Sequence, residues 1–286
     1  MRTLAIAGLQ LALSNGANVA SLADEVASVK RRFPWVDLVV LSELCAHGTN
    51  PEFAERLPGP TEREFARIAQ ENAVWLIPGS IFEREAGRIY NTTPVIDPSG
   101  KIVARYRKMF PFYPYEEGVT GGDSFCVAAV AGTAQIGILN CYDIWFPEAA
   151  RSLVWLGAEV IINPSLTNTI DRDVELALVR AAAATNQCYV FNVNGAGSQG
   201  YGRSIVCGPG GEVLHQAGAG REIIVLELNL DQVQRARERG WNGLGQVLKS
   251  FRDRPKNYPP YREGARSAAL DSLGPLVTAP LRKGET

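Results

Sequence analysis

Cys141 stands where the apolar run Thr133-Ala134-Gln135-Ile136-Gly137-Ile138-Leu139-Asn140 gives way to Tyr142-Asp143. That is a strand-to-helix bend, a place where a side chain can be offered to a cleft beside free backbone N–H groups. A thiol with its free pKa of about 8.5 becomes a good nucleophile only when a base or a cation draws on its proton. Taken singly, a strand-end cysteine is as a rule a buried small hydrophobe. The chain has two histidines, His47 and His215. A Ser-His-Asp relay or a histidine-based metal site is therefore not expected, and a base for Cys141 must come from elsewhere. Glu43 closes the apolar run Asp37-Leu38-Val39-Val40-Leu41-Ser42, and Lys108 follows Arg105-Tyr106-Arg107. Each of these charges, read alone, fits a solvated strand end equally well.

The elements that must hold these residues follow from hydrophobic periodicity. Thr3–Gln10 reads as a buried strand. Asn18 caps a helix with Val19, Leu22, Val26 and Val29 on one face, ended by Pro34. Asp37–Glu43 is a second strand, and Thr61-Glu62-Arg63-Glu64 forms a capping box for the next helix. Val74–Glu83 is a third strand, and Thr93–Ile96 and Lys101–Arg107 flank the turn Asp97-Pro98-Ser99-Gly100 as a hairpin. The order then repeats. Thr133–Asn140 is a strand, Pro147–Gly157 a helix, Glu159–Pro164 a strand, Asp171–Asn186 a helix and Cys188–Asn194 a strand. A second hairpin follows around Gly208-Pro209-Gly210-Gly211. Two such units predict two sheets stacked face to face with helices outside, a four-layer α-β-β-α sandwich with pseudo-symmetric halves; the competing architecture is a single doubly wound sheet. Residues 1–251 are expected to form one domain, and 252–286, rich in Pro and small polar residues, an extended tail laid on a partner subunit or disordered.

Together the three segments resemble the Glu-Lys-Cys triad of the nitrilase superfamily of carbon–nitrogen hydrolases. The resemblance runs in order to about Arg254. It rests on Asn140-Cys141-Tyr142-Asp143-Ile144-Trp145-Phe146-Pro147-Glu148, on Tyr106-Arg107-Lys108 with its aromatic, Pro-rich continuation, and on the run closing at Ser42-Glu43. It implies the same α-β-β-α fold, with Cys141 as nucleophile, Glu43 as proton shuttle and Lys108 with the Tyr142 N–H as oxyanion donors. In many members a second glutamate lies beyond the lysine, and Glu116 occupies that position, expected to orient the substrate amino group or the hydrolytic water. The loop Phe110-Pro111-Phe112-Tyr113-Pro114-Tyr115 and Trp145-Phe146 are expected to give an aromatic substrate pocket, with Phe112, Tyr115, Tyr142 and Trp145 binding the substrate, against the alternative that half of these side chains pack in the core.

Within that family, D-amino-acid carbamoylases place arginines just after the nucleophile to hold a substrate carboxylate, where this chain has Ile144 and Trp145. Many nitrilases carry Trp-Glu there, against Tyr142-Asp143 here. The resemblance therefore implies an amidase releasing ammonia from a small carboxylic amide, with nitrilase or N-carbamoyl amine hydrolase as the alternative. The alternative of another class is a scaffold or binding protein with a dead site. No cofactor and no metal are expected, and the family suggests a homodimer or higher homo-oligomer.

Composition agrees with a soluble globular protein. The 286 residues are 46% hydrophobic and 21% charged, with a formal net charge of -1. Dispersed charge argues against a nucleic-acid partner, and no apolar run approaches the roughly 20 residues of a membrane span. Five scattered cysteines without a CxxC suggest a reduced, cytoplasmic chain. Asn91-Thr92-Thr93 fits a glycosylation sequon, but without a signal peptide it reads as chance.

Overall fold

The computed structural model describes residues 1–113, 115–254 and 258–276. Its first half runs β1 (Thr3–Gln10), α1 (Val19–Arg32), β2 (Leu38–Val40), α2 (Pro60–Glu71), β3 (Trp75–Ile77), β4 (Ile81–Glu85), β5 (Arg88–Ile96) and β6 (Ile102–Arg107). The second half runs β7 (Cys126–Val130), β8 (Ala134–Ile138), α3 (Pro147–Trp155), β9 (Val160–Ser165), α4 (Arg172–Asn186), β10 (Tyr189–Asn194), β11 (Ile205–Cys207) and β12 (Val213–Gln216). β13 (Glu222–Asn229), α5 (Leu230–Arg239) and α6 (Val247–Asp253) follow. A seven-stranded sheet has the order β13-β1-β2-β3-β5-β4 with β6 also on β5, and a six-stranded sheet the order β12-β11-β10-β9-β8-β7. In each, three central parallel strands are joined through helices: β1, β2 and β3 in one, β8, β9 and β10 in the other.

Alternation along the strands builds the layers. Leu4, Ile6, Leu38 and Val40 of the first sheet share one core with Ile136, Ile138, Val160, Ile162, Phe191 and Val193 of the second. The intervening Ala7, Leu9 and Val39 pack instead with Leu22, Val26 and Val29 of α1 and Phe65 and Ile68 of α2. On the far side Ile161 and Val190 meet Leu153 of α3 and Leu176, Val179 and Ala183 of α4. Each fully buried Leu, Ile or Val contributes about 1.5–3 kcal/mol. Three apolar layers between two sheets and two helical shells make the α-β-β-α sandwich, not the single doubly wound sheet. The sheets approach closely at Gly8, where a Cβ would lie 2.5 Å from the Phe191 ring.

Some local expectations change. Thr61 does not open a capping box: α2 begins at Pro60 after Gly59, without a side-chain cap. Glu55 serves from a distance, accepting from the N–H groups of Thr61 (3.1 Å) and Glu62 (3.2 Å). Proline fits the first helical position because its missing N–H is not needed there, and this moves the helix start ahead of Thr61. Glu62 turns inward and pairs with Arg105 at 2.7 Å. Asn18 does precede α1, but its amide donates to the carbonyls of Ser14 (2.7 Å) and Cys45 (3.0 Å) instead of capping. The run Val74–Glu83 is two strands, β3 and β4, broken at Pro78-Gly79-Ser80. β7, β13 and α5 are further elements beyond the anticipated ones.

Of the expected tail, residues 255–257 and 277–286 lie outside the described residues, as does Pro114 of the aromatic loop. Tyr258 stacks on Phe251 of α6, which meets Trp155 of α3 edge-on, and the Tyr261 hydroxyl donates to Glu148 (3.1 Å). Among the described residues no helix is long and apolar enough to cross a membrane.

Candidate active site

The carboxyl ends of the parallel strands in both sheets meet at one point. The chain leaves β2 at Val40 and reaches Glu43, whose N–H donates to the carbonyl of Ser165 at the end of β9 (3.3 Å). This passage needs Gly79: its φ is +71°, and a Cβ there would lie 1.8 Å from the carbonyl oxygen of Ser42. Lys108 follows β6, with its N–H on the carbonyl of Asn91 (2.8 Å) and its own carbonyl accepting from Gly122 (2.8 Å). Cys141 opens a 3-10 turn, Cys141–Trp145, directly after β8. Its φ of 47° lies in the left-handed region, a strained setting for a non-glycine residue and one that recurs at functional bends.

Buried hydrogen bonds join these three segments. The Lys108 ammonium donates to Glu43 (2.9 Å) and to Glu116 (2.5 Å). The Asn91 amide donates to the same two carboxylates, at 2.9 and 2.7 Å. Glu116 also accepts from the N–H of Phe112 (2.7 Å), which folds the aromatic loop back over the lysine. Asp143, fully buried, accepts from the Asn140 N–H (2.9 Å), the Phe110 N–H (3.0 Å) and the Tyr106 hydroxyl (2.7 Å). One carboxylate thus ties the cysteine turn to the lysine loop. The Cys141 sulfur lies 3.7 Å from the Thr167 hydroxyl.

Burial sets the electrostatics. It pushes the Glu43 carboxyl above its ordinary range, against the attraction of Lys108 and with added repulsion from Glu116. Burial also lifts the Cys141 thiol, helped by the negative charge of Glu43 and opposed by Lys108. For Lys108, burial disfavours the charge, but Glu43 and Glu116 outweigh it and hold the ammonium well above its usual value. Burial thus favours the protonated form of the Cys141 thiol and raises the proton affinity of Glu43, with the Lys108 ammonium held beside them. That arrangement can move one proton from sulfur to oxygen as the sulfur attacks a carbon.

A cavity of about 190 Å³ opens onto this cluster. Glu43, Lys108, Glu116 and Cys141 all line it, and so do Phe112, Tyr115, Tyr142 and Trp145. Ring centroids of 4.9 Å for Phe112–Tyr142 and 6.0 Å for Tyr142–Trp145 make these a continuous wall. Phe110 and Phe146 stack on each other at 3.6 Å and pack with the α3–α4 core, not the cavity. The histidines stand apart from the cavity lining. His47 bonds the Thr61 hydroxyl (2.9 Å) and stacks on Phe53, and His215 pairs with Glu222 (2.6 Å). Sequence reasoning missed Asn91, which it weighed solely as a sequon. The side chain is fully buried between two carboxylates, so the folded protein offers no glycosylation site there. An asparagine within an otherwise strand-like run was the signal available. Thr167 on the cavity wall was missed as well.

Over residues 3–238 the chain matches the family model for carbon-nitrogen hydrolases. It is 30% identical to the omega-amidase NIT2 of Pongo abelii over 254 residues, covering 82% of this chain and 91% of that protein. To a formamidase of Bacillus thuringiensis (strain Al Hakam) it is 32% identical over 229 residues, covering 76% of this chain and 68% of that one. The crystal structure of a carbon-nitrogen hydrolase from Helicobacter pylori G27 matches with a TM-score of 0.78 at 27% identity, covering 90% of this chain and 99% of that one. The family match takes in both sheets and every residue of the buried cluster, and the chain belongs to the carbon–nitrogen hydrolase family.

Proposed function

We propose that this hydrolase is an amidase that converts a small carboxylic amide to the acid and ammonia through a thioester on Cys141. The observation that carries the reading is the buried contact of Lys108 with Glu43 and Glu116 at the foot of a cavity that also exposes Cys141. Glu43 takes the thiol proton as sulfur attacks the amide carbon. An ammonium has three N–H groups, and Lys108 spends two on carboxylates, which leaves one for the developing oxyanion. The N–H of Tyr142, next in the turn, is the second donor. Glu43 then gives its proton to the departing nitrogen, ammonia leaves, and the thioester remains. A water that loses a proton to Glu43 attacks the thioester carbon. The thiolate departs and recovers that proton, releasing the acid.

Glu116 lines the cavity while bonding Lys108 and Asn91, which supports a role in holding the lysine and orienting the substrate nitrogen or the water. Phe112, Tyr115, Tyr142 and Trp145 are the substrate wall. The cavity volume falls below the roughly 300 Å³ at which drug-sized pockets begin, which favours a short acyl chain. A buried, unpaired charge is costly, so a complete Glu-Lys-Cys cluster argues against a dead scaffold. Residues 1–251 form the hydrolase domain and 252–286 its tail in this reading, and the protein works in the cytoplasm as a homo-oligomer.

The test is parallel ammonia release from a short amide and its matching nitrile. A linear nitrile develops charge on nitrogen along another vector, so kcat/KM for the amide should exceed that for the nitrile by at least about tenfold, or about 1.4 kcal/mol. Cys141→Ala should remove both activities. A preference for the nitrile would reverse the substrate class, and turnover by Cys141→Ala within tenfold of wild type would remove the nucleophile assignment.

A further inference from the structure

Around the reacting groups the cavity wall is short of positive charge. Lys108 is the one cationic side chain on its lining among the described residues, and two carboxylates already hold it. The nearby arginines of the α4 region are engaged elsewhere. Arg172 is buried against Glu175 (2.7 Å), Asn192 (2.8 Å) and the carbonyl of Arg203 (2.8 Å), and Arg203 pairs with Asp173 (2.6 Å). Glu175 also reaches the lining, but Arg172 compensates its charge. Asp171 is different. It holds the N-cap position of α4, yet its side chain does not cap the helix. One carboxylate oxygen accepts the hydroxyl of Thr169, and the side chain lies on the cavity wall.

We propose that the cavity selects amides whose far end carries a positive charge, such as a primary ammonium, and turns away those ending in a carboxylate, with Asp171 setting the preference. The inference rests on the amidase reading of the same site. Two independent features agree. An uncapped carboxylate on a wall without a free counter-charge attracts a cation and repels an anion across a partly dehydrated space. The aromatic rings of Tyr142, Trp145 and Phe112, which line the same cavity, also favour a cation through their quadrupoles.

Three amides with the same three methylenes decide the matter: 4-aminobutanamide, pentanamide and glutaramate, ending in ammonium, methyl and carboxylate. Wild-type kcat/KM should fall in that order, by about tenfold or more from first to last, and the spread should narrow as salt is raised. In Asp171→Asn the ratio of 4-aminobutanamide to pentanamide should drop by about tenfold. Should that variant fold poorly, the wild-type order and its salt dependence still decide. Glutaramate as the best substrate, an order insensitive to terminal charge, or a ratio unchanged in a folded Asp171→Asn would overturn the assignment while leaving the amidase reading standing. Hydrolysis of none of the three would overturn both.

Discussion

Asp143 works as a tie-beam: three donors converge on it, the Tyr106 hydroxyl from β6, the Phe110 N–H from the lysine loop and the Asn140 N–H just before the cysteine turn. Burial lifts its pKa from 3.8 to about 6, in spite of Lys108 and the donated hydrogen bonds. The folded chain therefore binds a proton that the unfolded chain has already lost between about pH 4 and 6. Folding stability from this residue falls as pH rises through that window and is level above it. A shift of about two units corresponds to about 3 kcal/mol. Asp143→Asn has no such proton, so its unfolding free energy relative to wild type should improve by about 3 kcal/mol between about pH 4 and pH 7. Urea unfolding at the two pH values measures this, and a difference that stays constant would mean that the carboxyl is not held up by burial. The proposed nucleophile, base and lysine were legible in the sequence through the family resemblance of their three segments taken together, since each residue read alone fits an ordinary strand end. Asn91 was not, because its importance comes from two carboxylates brought to it across the fold.

At the scale of elements, periodicity revealed both repeats and so the layer order, since alternation and helical spacing are local signals. It did not reveal β13, whose place beside β1 is fixed by a pairing more than 200 residues distant in sequence, Thr3 opposite Asn229. Nor did it separate β3 from β4, because the break is a three-residue turn inside a hydrophobic run. That turn has a catalytic consequence. Gly79→Ala places a Cβ in a left-handed backbone against the carbonyl of Ser42, one residue before Glu43. The variant should lose about 2 kcal/mol of stability and about 100-fold in kcat/KM, since a shift of about 1 Å in a reacting group costs that much. Gly87→Ala is the control, with a φ of +78° but open space around the new Cβ. It should lose about 1 kcal/mol and retain its rate constants. Equal losses in kcat/KM for both variants would show that strain alone, not displacement of Glu43, explains the effect.

At the scale of the whole molecule, the helical shell over the second sheet is unevenly covered. Trp155 and Leu156 at the end of α3 are 67% and 57% exposed, beside the aromatic ladder of Phe251, Tyr258 and Tyr261. Large exposed apolar side chains gathered on one face mark an interaction surface. We propose that a second copy of the chain covers this face, in keeping with the weakly periodic tail beyond it. Light scattering at micromolar concentration should give a dimer or larger, and Trp155→Glu should shift it toward the monomer by placing a charge in a dehydrated contact. A monomeric wild type would refute the proposal.

Asn91 has one more consequence, for how the protein is produced. Oligosaccharide is added to sequons in a secretory lumen while the chain is still unfolded, before burial can protect them. Expression of this protein through a eukaryotic secretory route should therefore place a glycan on the side chain that must later sit between Glu43 and Glu116, and the product should be misfolded and inactive. Thr93 completes the sequon, and its hydroxyl is buried without a hydrogen-bond partner. Thr93→Val removes the acceptor sequence and replaces an unsatisfied polar group with a methyl of the same shape, a change expected to cost little or to stabilise. Secreted Thr93→Val should run without the glycan mass shift and regain ammonia release, whereas an active, glycosylated wild type from the same host would contradict the placement of Asn91 at the heart of the site.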